Sequence, residues 1–175
     1  MSSKPKTPLR AMTVEEAAYI AGFFDGEGCL TMRRSNRHSR GKAGSGVASV
    51  HYRLALDFAN RHLGVLRWIQ QFTGGAIYSK YGPARSSRWA PAFALIMWNK
   101  ADIERLLRAI QPYVKVKTEQ VALGLDFLSL PPVRVSFHAR GKTWPRRVSI
   151  QEDLDVREEY KQRLSAFNQR GHRAS

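Results

Sequence analysis

Residues 13–28 constrain the fold most. Thr13-Val14-Glu15-Glu16 is a capping box, in which the Thr13 hydroxyl takes the Glu16 amide and the Glu16 carboxylate reaches back. Ala17, Ala18, Ile20, Ala21 and Phe24 then form a broad apolar face, so a helix starts after Thr13 and is expected to stop near Asp25-Gly26. Beyond it one carboxylate, Glu27, stands between two glycines, Gly26 and Gly28. Glycines at a helix end allow close backbone approach and an αL exit. An acid held there, at the end of a tight packing surface, is placed to bind a metal.

The rest of the chain says what such a metal would act on. Net charge is +15, from 29 Lys+Arg and 14 Asp+Glu over 175 residues. Between Glu27 and Asp102 the only acid is Asp57, while the same stretch holds Arg33, Arg34, Arg37, Arg40, Arg53, Arg61, Lys80, Arg85 and Arg88 among its cations. Solvated surfaces mix signs, so this bias reads as a footprint for phosphates, with nucleic acid as the partner. A second acid-free run lies between Asp126 and Glu152, and acids return at Glu152, Asp153, Asp155, Glu158 and Glu159. Cys29 is the single cysteine, which excludes an internal disulfide and a cysteine-cluster zinc site and suits a reducing, intracellular setting. No segment is apolar for long enough to span a bilayer, and residues 1–12 read as a flexible basic arm rather than a secretion signal. Gly141-Lys142-Thr143 has Ser136 where a P-loop needs glycine, and the five histidines show no paired ligand spacing.

The order of elements is helix, strand, strand, helix, strand, strand, helix, then further helices: an α+β fold. Cys29 to Arg34 reads as a strand and Ser35 to Gly46 as a turn. Val50, Tyr52, Leu54, Leu56 and Phe58 alternate with His51, Arg53, Ala55 and Asp57, the period of a half-buried strand whose polar face is basic. Leu63, Leu66, Ile69 and Phe72 are spaced as a helix ended by Gly74-Gly75. Strands follow over residues 76–81 and 92–98, then helices opened by Asn99 and by Thr118. A capping box at Ser149-Ile150-Gln151-Glu152 opens the last helix, striped by Val156, Tyr160, Leu164 and Phe167. One domain is expected over 13–175, with a core over 13–130 and a helical extension over 131–175.

Ile20 to Gly28 resembles the LAGLIDADG motif of homing endonucleases, matching at Ala21, Gly22, Asp25 and Gly28, with Glu27 at the eighth position. Phe58-Ala59-Asn60-Arg61, the helix after it and Gly74-Gly75-Ala76-Ile77-Tyr78 look like that family's middle section. Gln111 to Lys117 looks like the segment supplying its active-site lysine. The resemblance implies an αββαββα core whose antiparallel sheets form a saddle over the major groove. It implies a homodimer, since one chain carries one motif helix, packed through Ala21, Gly22 and Gly26. It implies hydrolysis of one phosphodiester on each strand of a long, pseudo-palindromic DNA target by an intron-encoded enzyme. The implied cofactor is Mg²⁺, with Mn²⁺ or Ca²⁺ able to substitute for binding, and its expected ligands are Glu27 and the Gly26 carbonyl. By the same resemblance Lys117, or Lys115 one register step away, is expected as the active-site lysine that polarises the attacking water or stabilises transition-state charge, and Asn60 stands where glutamine often orders water. Asp25 caps or packs. DNA contacts are expected from Thr31, Arg33 and Ser35, from His51, Arg53 and Asp57, from Arg61, Tyr78 and Lys80, and from Arg37, Arg40, Arg85 and Arg88 in turns. An intron RNA maturase, with its own intron RNA as partner, and a non-catalytic DNA-binding regulator are the alternatives on this scaffold.

Overall fold

A computed structural model describes residues 9–38, 48–80, 91–138 and 146–170. Eleven elements appear in the described residues: α1 (Val14–Glu27), β1 (Gly28–His38), β2 (Ala48–Asn60), α2 (Leu63–Thr73), β3 (Ala76–Ser79), β4 (Phe93–Met97), α3 (Lys100–Ile110), α4 (Thr118–Ser129), β5 (Val135–His138), β6 (Arg146–Ser149) and α5 (Gln151–Arg170). The first seven are the expected αββαββα core. Its four strands form one antiparallel sheet in the order β1-β2-β4-β3.

The alternation in β1 and β2 divides this sheet. Leu30 and Met32 face Leu56 and Leu54 across the ladder, and all four are buried, with Phe58, Leu95 and Met97, under the helices. Thr31, Arg33 and Ser35, with His51, Arg53 and Asp57, stand on the other face. The core is closed by Ile20 and Phe24 of α1, Leu66, Ile69 and Phe72 of α2, Ile103, Leu106, Leu107 and Ile110 of α3, and α4. The Thr13–Glu16 capping box forms, and the Asn99 side chain accepts from the Ala101 and Asp102 amides at the start of α3. Such caps stabilise a helix by ~1 kcal/mol. Gly74 and Gly75 take positive φ (70° and 82°), the backbone the turn from α2 into β3 requires.

Several expectations need correction. Helix α1 runs through Glu27, and no αL residue ends it: Gly28 is extended (φ −83°). Gly28 is needed for space, because a Cβ there would lie 2.2 Å from the Phe24 ring and 2.7 Å from the Phe24 carbonyl oxygen. Ser35–His38 belong to β1 rather than a turn, because they pair with Ala48–His51. Of the expected arm over residues 1–12, residues 1–8 lie outside the described residues, and Arg10 is fixed: its amide donates to the Gln71 carbonyl (3.0 Å), and its guanidinium pairs with Glu16 (2.6 Å) and lies 5.0 Å from the Phe72 ring centre.

The segment after residue 130 is not purely helical either. β5 and β6 form a two-stranded antiparallel sheet, with β6 against β2. Ser149 ends β6, paired with Val135, and the last helix begins at Gln151, which puts Ile150 rather than Ser149 at its capping position. Arg134 fastens the hairpin to α5 through Asp153 (2.7 Å). α5 in turn closes over β1: Asn168 donates to the Leu30 carbonyl (3.1 Å) and the Tyr52 hydroxyl to Glu158 (2.7 Å). Partial burial and the Glu158 charge push the Tyr52 hydroxyl up to about 12.

Candidate active site and nucleic-acid face

The end of α1 is locked to the turn before α4 from both sides. The Asp25 carboxylate accepts the backbone N–H groups of Lys115 (2.7 Å), Val116 (3.1 Å) and Lys117 (2.9 Å). In return the Lys117 ammonium donates to the carbonyls of Phe24 (2.8 Å) and Gly28 (2.6 Å), and lies 5.4 Å from the Phe24 ring centre. Desolvation pushes the Asp25 pKa up, but the three amides and the Lys117 charge together hold it below the usual aspartate value. Burial lowers the Lys117 pKa, opposed by Cys29, Asp25, Glu27 and Asp57 around it. Of the two candidate lysines, Lys117 has the ammonium at the end of α1. Lys115 meets it only through its amide, with the side chain exposed. Asp25 packs and caps, as its position suggested.

Glu27 is the last residue of α1 and is exposed. It lines an open cleft of about 400 Å³ together with Asn60, Arg61, His62 and Lys80. β2 supplies Asn60 from its last position, and Lys80 follows β3, tied to the sheet by its amide on the Ala92 carbonyl (2.8 Å). Ala59 and Ala92 also line the cleft, leaving room for the longer side chains. The Asn60 side-chain oxygen accepts the His62 amide (2.8 Å), so it stabilises the turn into α2 and leaves its NH₂ group for a water or phosphate. Among the described residues no group of three or more His, Cys, Asp or Glu could hold a metal ion. The donors at the cleft are oxygens, the Glu27 carboxylate and the neighbouring Gly26 carbonyl, and hard oxygen donors suit Mg²⁺ or Ca²⁺.

Next to this cleft, Cys29 and Asp57 pair across β1 and β2 on the outer face. Asp57 is half-buried; desolvation raises its pKa against the pull of Lys80, Arg33 and Lys117. Burial, helped by Asp57, raises the Cys29 thiol. Arg33, Ser35, His51, Arg53, Arg61, Tyr78 and Lys80 are exposed, and Thr31 is half-buried. Arg37 lies in β1 and its side chain is outside the described residues, as are Arg40, Arg85 and Arg88 altogether.

Two placements were not readable from the chain. Lys80, expected only as a DNA contact, shares the cleft with Glu27. Trp98, not singled out at all, carries the guanidinium of Arg33 on its ring (4.8 Å to the centre). One expectation fails: Ala21 is 0% exposed and packs in the chain's own core with Ile20 and Phe24. The open side of α1 instead presents Gly22 and Gly26, where a Cβ would meet nothing within 4 Å.

The fold is shared with solved proteins. The chain resembles the homing endonuclease I-CvuI in complex with its target in the presence of calcium: 17% identity, TM-score 0.59, 88% of this chain and 82% of that one. It also resembles I-CvuI in complex with the I-CreI target in the presence of magnesium, where the DNA is not cleaved. That match has 20% identity, a TM-score of 0.51 and 65% of this chain, and spans 66% of that one, just under two thirds of its length. A third likeness is to the group I intron-encoded homing endonuclease I-CeuI complexed with DNA: 20% identity, TM-score 0.50, 70% and 58% of the two chains. No curated protein matches. At these identities the structural likenesses establish the fold. The family profile described as "LAGLIDADG endonuclease" matches residues 20–114, more than half of the chain, and so the chain belongs to the LAGLIDADG endonuclease family.

Proposed function

We propose that the protein is a site-specific, homodimeric double-strand DNA endonuclease that hydrolyses one phosphodiester on each strand with divalent metal ions. The observation that carries this reading is Glu27: an exposed carboxylate at the end of the motif helix, sharing its cleft with Asn60, Arg61 and Lys80 beside an almost acid-free sheet face. The solved structures of I-CvuI and I-CeuI are DNA complexes, and both of the I-CvuI complexes were formed in the presence of magnesium or calcium.

Glu27 and the Gly26 carbonyl would hold the cation. A bound Mg²⁺ neutralises phosphate charge, activates water and stabilises the departing oxygen. Around it the chain supplies positioned cations. Lys117 spends two of its three N–H groups on Phe24 and Gly28, and the third is left to polarise the attacking water or a phosphate oxygen. The NH₂ of Asn60 orders water, and Arg61 and Lys80 bind phosphate. The outer residues of β1, β2 and β3 lie along the major groove, where arginine to guanine is the commonest specific contact.

One Glu27 is too few donors for such a site, and α1 offers the means of doubling it. Gly22 and Gly26 are four residues apart on its exposed side. Glycine inside a helix costs about 1 kcal/mol relative to alanine, and no neighbour among the described residues explains either one. A second copy packed along this stripe sets the two helix ends side by side, so that both Glu27 side chains serve a shared site. A two-fold dimer then reads a pseudo-palindrome.

The test is incubation of the protein with a randomised duplex library and Mg²⁺, followed by sequencing of cut ends. Cleavage at one long, near-symmetric sequence supports the reading. Binding without cutting identifies a regulator, and selective binding of intron RNA alone identifies a maturase.

A further inference from the structure

Ala55 stands on the outer face of β2 between Arg53 and Asp57, yet it is 1% exposed. The register explains why. Leu56 pairs with Met97, the last residue of β4, so one residue further along Trp98 comes beside Ala55. On the other flank Thr31 pairs with Ala55 and Arg33 with Arg53. Arg33 therefore crosses β2 over Ala55 to place its guanidinium on the Trp98 ring, 4.8 Å from the centre. Only a small residue at position 55 leaves room for the stack.

The arrangement also relieves a conflict. Arg33 and Arg53 are directly opposed across the ladder, and like charges so placed repel. The indole face draws Arg33 away, and the Asp57 carboxylate lies within its electrostatic reach. A guanidinium flat on a ring keeps its edges open, with donors in the fork geometry that matches O6 and N7 of guanine. Its rotamer freedom is already spent before DNA arrives, so less is lost on binding.

We infer that Trp98 is a specificity-positioning residue, holding Arg33 across Ala55 so that its guanidinium edge reads one guanine in each half-site. The inference rests on the DNA-binding function proposed above and names the residue pair that sets one position of its target.

Two measurements test it. Without DNA, the Arg33 Nε–H resonance should be shifted by the indole ring current and return to its ordinary position in Trp98→Ala. With DNA, base preferences are profiled by selection from a random duplex library for wild type, Arg33→Ala, Trp98→Ala, Trp98→Phe and Ala55→Val. Wild type should prefer guanine about tenfold or more at one symmetric position, and Arg33→Ala should abolish that preference. Trp98→Ala should weaken it several-fold at the same position and leave the others unchanged, while Trp98→Phe retains most of it. Ala55→Val, which keeps the tryptophan but fills the space beneath the arginine, should reproduce the loss even if Trp98→Ala does not fold. An unchanged profile in Trp98→Ala or Ala55→Val, an even loss over all positions, or a loss at a position other than that of Arg33→Ala overturns the inference. Failure of wild type to select any sequence overturns the DNA-specific function itself; the ring-current shift then still reports on the stack.

Discussion

Asp25 and Glu27 are two residues apart and do opposite work. Asp25 turns inward and ties three amides of residues 115–117 to α1, whereas Glu27 stays exposed in the cleft. Removing the first should destabilise the fold and removing the second should not. Asp25→Ala strands three N–H groups and should cost roughly 2–4 kcal/mol, read as a fall in Tm or in the urea midpoint. The pH dependence has a definite sign. The folded pKa of Asp25 lies below its unfolded value, so its contribution is complete above the ordinary aspartate range and is lost as pH falls through the folded pKa. Asp57 is the reverse case: its raised folded pKa means that ionisation opposes folding, so its contribution is present at low pH and lost as pH rises. Asp57→Asn should therefore stabilise the DNA-free protein near neutral pH, by denaturant titration. Asp25 and Lys117 were legible from the motif and its downstream lysine. The oxygen of Asn60 was not, because its capture by the His62 amide depends on how β2 turns into α2.

At the scale of elements, the direct passage from α1 into β1 is the tightest joint. Gly28→Ala would drive a methyl to 2.2 Å from Phe24, and the expected result is loss of at least 2 kcal/mol or failure to fold, judged by circular dichroism and thermal melting. Gly22→Leu differs: a Cβ there meets nothing within 4 Å among the described residues, so the isolated fold should persist while dimerisation is blocked. Sedimentation velocity should find a dimer in wild type and a folded monomer in Gly22→Leu. A stable wild-type monomer, or a Gly22→Leu dimer of unchanged affinity, contradicts the helix-pair interface. Strand faces were readable because Leu30 and Met32, and Leu54, Leu56 and Phe58, alternate cleanly. The β5–β6 hairpin escaped because its strands are four residues each and set among arginines and prolines, too short for a periodic signal. Ala21 was misread for a related reason: small size marks a residue suited to close packing but does not say which side of the helix it occupies.

For the whole molecule, the acid-poor outer sheet face makes binding a phosphate-dominated process. If each dimer contacts six to ten phosphates, affinity should drop by about 10³–10⁵ between 50 and 200 mM salt; a nearly flat salt dependence would remove the footprint argument. Charge and motif together point to DNA as the partner already in the sequence. The gathering of Lys80 with Glu27 and of Arg33 with Trp98 was not, since both depend on strand register rather than spacing. The most direct measurement compares wild type and Glu27→Gln on the selected target in Mg²⁺, following binding by gel shift and cutting by plasmid linearisation. Wild type should linearise the plasmid in a metal-dependent way, and Glu27→Gln should bind within a few-fold of wild type and leave it uncut. Cutting by Glu27→Gln at the wild-type rate, or cutting by wild type without a divalent cation, would contradict the account.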